Sequence, residues 1–158
     1  MRNGFWGKFG KRACDLALAL GIVLLLWPLL LVVAILVRLK LGSPVIFSQT
    51  RLGRGATEFR LYKFRSMTDA RGPDGELLPD EVRLTRFGRL LRSTSLDELP
   101  QIVNILKGEM SFIGPRATLP AYKSQLLEKY PERFEAVPGI TSLPAIRGRA
   151  FALEHHNG

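Results

Sequence analysis

Apolar positions in this chain follow two different rules. From Leu16 to Val37 they are continuous, twenty-two residues without a charge, whereas beyond residue 41 they recur at the spacings of short strands and amphipathic helices. A run of about 20 apolar residues matches the thickness of a bilayer core when helical, so the first region predicts a membrane segment. The alternative is a core helix of a soluble protein, for which a 158-residue chain offers little mass to surround an all-round apolar cylinder. A cleaved signal peptide fits less well, because the run exceeds the usual hydrophobic region and no small-residue cleavage site follows.

Downstream, the pattern predicts one compact domain, α+β and mainly helical. Pro44-Val45-Ile46-Phe47 and Phe59 to Phe64 read as short strands around the turn-rich Arg51-Leu52-Gly53-Arg54-Gly55. Residues 69 to 81, with four Gly or Pro among five acids, read as a polar surface loop. Thr85 to Arg92 predicts a short amphipathic helix with Phe87, Leu90 and Leu91 on one side. Ile102, Val103, Ile105 and Leu106 predict a second helix that stops at Lys107-Gly108, and a third covers Leu119 to Lys129, before Pro131. The chain thus divides into a basic segment and membrane helix over 1–40, a folded domain over 41–150 and a tail over 151–158.

Charge sharpens the membrane reading. Residues 1 to 65 hold eleven Lys or Arg against two acids, whereas residues 66 to 158 hold twelve of each, so the net charge of +9 lies near the apolar run. Such a distribution suits anionic membrane lipid or a phosphate-bearing substrate at the interface. Nucleic acid is not expected, since no helix-turn-helix, zinc or stacking-aromatic pattern accompanies the charge. Cys14 is the only cysteine, which excludes an internal disulfide. Arg2, Lys8, Lys11 and Arg12 precede the run and Arg38, Lys40, Arg51 and Arg54 follow it, so neither orientation of a simple span is favoured. Pro28 can break the helix midway, and two half-helices entering and leaving by one leaflet would satisfy both facts. A kinked span that crosses the bilayer is the competing reading.

Candidate chemistry concentrates at Ser93-Thr94-Ser95-Leu96-Asp97-Glu98-Leu99-Pro100-Gln101. On spacing alone, capping is the favoured reading: Ser95 and Glu98 have the interval of a capping box, and acids in a first turn suit the helix dipole. With Asp97 as the N-cap instead, Pro100 would be accommodated. Arg89 and Arg92 just before, and Gly114-Pro115-Arg116 after the second helix, add a different option. Carboxylates can hold Mg²⁺ or attack phosphorus while arginines neutralise phosphate oxygens.

These residues belong to a longer series. Lys11-Arg12-Ala13-Cys14-Asp15, Gly42-Ser43-Pro44-Val45-Ile46-Phe47, Lys63-Phe64-Arg65-Ser66-Met67 and Ser95 to Gln101 are followed by Asn104 to Ser111, Gly114-Pro115-Arg116 and Pro138-Gly139-Ile140-Thr141. In this order the chain resembles the monotopic bacterial sugar transferases, the small phosphoglycosyl transferases that start glycan assembly on a polyprenol carrier. The resemblance implies a re-entrant membrane helix broken at Pro28 and a catalytic domain on the cytoplasmic face of the bacterial inner membrane. It implies transfer of a sugar 1-phosphate from a UDP-sugar to polyprenyl (undecaprenyl) phosphate, with release of UMP. Asp97 would be the nucleophile that forms a covalent phosphosugar intermediate, with Glu98 as its partner and both near Mg²⁺. Lys63, Arg92 and Arg116 would bind substrate phosphates, and Arg149 would be a further substrate-binding residue. A catalytically defective, membrane-anchored scaffold is the other functional class, and a homo-oligomer is compatible with either.

Departures from the family pattern are specific. Ala117 stands where a second proline is usual after Gly-Pro-Arg, and Trp27 precedes Pro28 where serine is frequent. Ser142 to Ala150 matches the pattern only at Gly148 and Arg149. Leu153-Glu154-His155-His156 is similar to the start of a vector-derived tag, truncation being the other reading, and the two histidines are not expected to bind metal.

Overall fold

The computed structural model describes residues 5–141, with side chains from Gly10 onward. It is mainly helical with two small sheets, as the α+β reading predicts. Helix α1 runs from Phe5 to Leu41 with Pro28 inside it. The expected helix-break-helix is not seen as a break here: the helix continues through Pro28. One missing N–H costs about 3 kcal/mol in a helix interior, but a long apolar helix can tolerate it when its other backbone bonds persist. The stretch Gly10–Leu41 has a mean hydropathy of 3.1 in its most apolar window, of which only 11% is buried. That exposure argues against a soluble core helix, and α1 is long and apolar enough to cross a membrane.

The chain forms two compact units, and α1 contributes to both. One unit comprises Gly21–Ser48 and Tyr62–Pro100. In it, Val33, Val37 and Leu41 form a buried stripe along α1, packed with Phe64 and Leu91 and flanked by Leu30, Ala34, Val45, Phe87, Leu96 and Leu99. The spacing is that of one helix face, while Leu31, Val32, Ile35 and Leu39 remain exposed on the others. Burying a side chain such as Val37 or Leu91 is worth roughly 1.5–3 kcal/mol, enough for the stripe to fix the helix against this unit. Helix α2 (Asp80–Arg83) is a single turn, and α3 (Arg86–Ser93) starts where Thr85 Oγ1 accepts the Gly88 N–H at 3.1 Å. Leu91 is buried on α3, but Leu90 is exposed, so the predicted apolar face is narrower than its three residues.

The other unit comprises the first part of α1 up to Leu20, then Gln49–Leu61 and the chain from Gln101. Strands β1 (Ile46–Leu52) and β2 (Glu58–Phe64) pair, joined by a 3-10 turn at Arg54–Ala56 whose base is closed by Gly53 N–H on Thr57 O at 2.7 Å. Helix α4 (Ile102–Lys107) ends at Gly108 with φ 85°, the left-handed stop that the sequence predicts. Buried Asn104 spans this turn: its Nδ2 donates to Arg60 O and to Glu109 Oε2, and its carbonyl accepts the Glu109 and Met110 amides. Helix α5 (Lys123–Lys129) is shorter than expected, because Pro120–Tyr122 forms a separate 3-10 turn before it.

The motif at the start of α1 is absorbed here. Arg12 donates to Ile105 O and Leu106 O at the C-terminus of α4, Lys11 donates to Ile113 O, and buried Asp15 accepts from the Ser111 hydroxyl. A cation on the last carbonyls of a helix satisfies acceptors that have no partner within the helix.

Two strands escaped the sequence pattern. Strand β3 (Ser111–Ile113) and β4 (Gly139–Thr141) pair in parallel, Ser111 opposite Gly139 and Ile113 opposite Thr141. Three residues are too few to show alternation. Their crossing is close: a Cβ on Gly139 would strike the Gly114 amide, and one on Gly114 would strike Val137 O. Both glycine-containing motifs thus meet backbone to backbone. Gly139→Ala is expected to lower stability by about 1–3 kcal/mol or more, as overpacking against rigid backbone does. Thermal unfolding of the variant in detergent measures the loss, and a melting temperature equal to wild type would contradict this packing.

Candidate active site

Lys63, near the end of β2, begins a motif in which the structure gives each of the first four residues a separate contact. Lys63 Nζ lies 2.7 Å from Glu98 Oε1 and 4.0 Å from Asp97 Oδ2. Phe64 enters the apolar core. Arg65 is buried, donating to Met67 O at 2.9 Å and to Ser43 O, and paired with Asp69. Ser66 accepts the Arg92 Nε–H on its hydroxyl at 2.9 Å. The approach that allows this contact depends on Gly88, where a Cβ would collide with Ser66 O.

Asp97 and Glu98 lie on a 3-10 turn, Leu96–Gln101, that leads directly into α4. The favoured capping-box reading is overturned. Ser95 N–H donates to Arg92 O and the Glu98 carboxylate is taken by Lys63, so the reciprocal bond from Glu98 to the Ser95 amide is not made. Ser95 has φ 56°, a left-handed conformation that ends α3 and swings the chain into the new turn. Asp97 is not an N-cap either, since Gln101 stands in that place for α4. Pro100 fits because it sits inside the 3-10 turn, not one turn into an α-helix.

The two carboxylates differ in environment. Asp97 has 9% of its side chain exposed and Glu98 31%. Burial pushes the Asp97 carboxyl above its usual range; Lys63 and Arg92 pull it back, and the neighbouring Glu98 charge adds to the rise. A half-exposed pair such as Lys63–Glu98 contributes only about 0–1 kcal/mol to stability, so its consequence is positional. Lys63 sits closer to Glu98, and among the described residues the buried Asp97 keeps only the longer 4.0 Å ion pair with the same lysine.

The structure thus brings Lys63, Arg92, Asp97 and Glu98 into one unit, with Ser66 and Arg65 as supporting residues whose separate contacts the motif alone did not reveal. Arg116 belongs to the other unit, where its exposed side chain follows the Gly114–Gly139 crossing. Arg149 lies outside the described residues, as do Ser142–Ala150 and the tail. No group of three or more His, Cys, Asp or Glu that could hold a metal occurs among the described residues. Mg²⁺ commonly takes one or two carboxylates and completes its shell with water and substrate phosphate, so an under-neutralised Asp97 beside Glu98 suits it as a partial site.

A sequence profile described as bacterial sugar transferase matches residues 6–157. The chain belongs to the bacterial sugar transferase family. Among sugar transferases similar to it is an uncharacterized one, EpsL of Bacillus subtilis, 50% identical over 139 residues, covering 88% of this chain and 69% of the relative. A UDP-glucose:undecaprenyl-phosphate glucose-1-phosphate transferase of Caulobacter vibrioides is 41% identical, covering 87% and 54%. A UDP-N-acetylgalactosamine-undecaprenyl-phosphate N-acetylgalactosaminephosphotransferase of Aeromonas hydrophila is 40% identical, covering 84% and 33%. The chain therefore spans about half or less of some of these longer sugar transferases.

The raised Asp97 pKa predicts a pH-dependent stability difference. An unfolded aspartate titrates near 3.8. Between that value and the higher folded one the folded state holds more protons, so wild-type stability falls as pH rises through this window. Asp97→Asn carries no such titration, and it should gain on the wild type from pH 3.5 to pH 7 in thermal unfolding without Mg²⁺. A difference that is constant, or that grows on acidification, would contradict the assigned environment.

Proposed function

We propose that this protein is a membrane-bound phosphoglycosyl transferase that moves a sugar 1-phosphate from a UDP-sugar to undecaprenyl phosphate. The observation that carries the reading is the buried, under-neutralised Asp97 beside a Glu98 held by Lys63, in a chain related to transferases named for those substrates. A carboxylate that is poorly solvated is a more basic, more reactive nucleophile than one in water, and the same poverty of neutralising charge gives a cation a place to bind.

In the proposed reaction an Asp97 oxygen attacks the β-phosphorus of the UDP-sugar. The bond from that phosphorus to the bridging oxygen breaks, UMP leaves with the electron pair, and an acyl phosphosugar remains on Asp97. A phosphate oxygen of the lipid then attacks the same phosphorus and returns the carboxylate. Mg²⁺, when bound, would neutralise charge on the diphosphate and the leaving UMP. Lys63 holds Glu98 in place beside the nucleophile. Arg92, oriented through its Nε–H to Ser66, has its remaining guanidinium donors to offer phosphate oxygens.

The lipid acceptor requires the site to lie at a membrane surface, and the contacts of α1 support a same-face arrangement. Among the described residues, α1 is the one helix that could cross a bilayer, so residues 42–141 form a continuous stretch on one side. Both flanks of the apolar run are tied to that stretch: Arg12 and Asp15 to residues 105–111, and Val33, Val37 and Leu41 to Phe64 and Leu91. A re-entrant α1, bending through Pro28 with both ends on the cytoplasmic face, keeps both sets of contacts.

Two measurements test this reading. Enzyme mixed with UDP-sugar and Mg²⁺ but no acceptor is expected to release one equivalent of UMP and gain the mass of one phosphosugar, and Asp97→Asn to lose both. Turnover that requires both substrates together, or survives in Asp97→Asn, would overturn the covalent mechanism. For topology, single cysteines at Asn3 and Ser48 in a Cys14→Ser background should both be protected from an impermeant thiol reagent in intact cells. Labelling at Asn3 alone would indicate a bitopic span.

A further inference from the structure

In the unit that contains β3 and β4, Arg51 and Arg133 both bond to the backbone around Arg116, and among the described residues no acid pairs with any of the three. Arg51 lies near the end of β1, where Leu52 N–H donates to Thr118 O at 2.8 Å and so lays the strand against the chain that follows Arg116. Arg51 donates to Ala117 O at 3.4 Å and to Gln49 Oε1 at 2.7 Å. Arg133, on the 3-10 turn Pro131–Phe134, donates through Nη2 to Arg116 O at 2.9 Å. Arg116 and Arg133, with Gly53, Pro115 and Thr118, line a small pocket that opens to solvent.

Two features make this more than a solvated basic surface. Arg51 Nε and Arg133 Nε are shielded from solvent and have no hydrogen-bond partner among the described residues. Two of the charges also repel: burial, and then the Arg116 charge, hold the Arg51 pKa below its ordinary value. No carboxylate lies within ion-pair distance of any of them among the described residues. Desolvated N–H donors and uncompensated like charges both call for an anion with several acceptor oxygens. A phosphate supplies three, and arginine forks match its geometry.

We propose that Arg51, Arg116 and Arg133 form a substrate-phosphate site, taking a phosphate carried by the nucleotide or by the prenyl lipid. The proposal rests on the transferase reading for its substrates. It adds two binding residues, Arg51 and Arg133, that neither composition nor motif had singled out for this purpose. The bridge to Thr118, the Arg133 bond to Arg116 O and the Gly114–Gly139 crossing are the scaffold that gathers them.

The test is direct binding to the full chain in phosphatidylcholine nanodiscs, with UMP in one arm and farnesyl phosphate in the other, read by calorimetry without turnover. Arg133→Gln is expected to weaken one of the two ligands about tenfold or more, with Arg133→Lys recovering part of the loss, because a charge-assisted bond in a shielded site is replaced poorly by water. The arm that falls identifies the phosphate source. Should Arg133→Gln lose its melting transition, Arg116→Gln gives the same readout, since the Arg116 side chain is exposed and outside the hydrogen bonds that hold the fold. Unchanged affinity for both ligands in folded variants would overturn the site and leave the transferase reading standing. Wild-type protein that binds neither ligand would overturn the site together with the substrates on which it rests.

Discussion

A carboxylate buried beside another carboxylate, with one lysine shared between them and turned to the neighbour, is the constraint around which this unit is organised. Asp97 would be more stable in water or in a tighter ion pair, and the fold leaves it buried with a lysine no nearer than 4.0 Å. Such an arrangement persists only if surrounding packing over-determines it. Phe64, Leu91, Leu96 and Leu99 provide that packing around the same turn, and the left-handed Ser95 directs the chain into it. In the proposed reaction, the energy withheld from Asp97 in the resting protein is what a nucleophile or a metal ligand would recover.

Precision in both units comes from backbone meeting backbone. Gly88 lets α3 press against the carbonyl of Ser66, which brings the Arg92 guanidinium to the serine hydroxyl. Gly114 and Gly139 let two loops cross so closely that β3 and β4 can pair over only three residues each. Neither contact would stand out in a list of reactive side chains, yet each positions an arginine. Glycine here is chemistry at one remove.

Helix α1 serves two solvents. Its stripe of Val33, Val37 and Leu41 is buried against protein, whereas Leu24, Leu25, Trp27 and Leu31 are exposed at levels that water would penalise. An all-round apolar helix can be shared in this way because hydrocarbon and a protein core ask the same of a side chain. The polar residues at its start do something different. Arg12 closes the C-terminus of α4, and α4 continues directly from the turn that bears Asp97 and Glu98. The basic flank, read from charge as a match for lipid head groups, is thus partly spent on protein carbonyls.

Sequence by itself determined the long apolar helix, the amphipathic α3, the stop of α4 at Gly108, the family and the residues worth testing, because each depends on local composition, on period or on residue order. It did not determine the roles of Ser95 and Glu98, whose interval spells a cap, since a lysine 35 positions away competes for the glutamate. It could not show β3 and β4, as three-residue strands carry no period, nor the continuity of α1 through Pro28, since a proline sets a cost and not an outcome. The gathering of Arg51, Arg116 and Arg133 was likewise invisible. Charge on a chain is additive along the sequence, but whether arginines stand in water or are held around one stretch of backbone is decided by non-local contacts, here those of Arg51 with Ala117 O and of Arg133 with Arg116 O. Only the folded chain fixes which charges are shielded, and therefore which of them still need an anion.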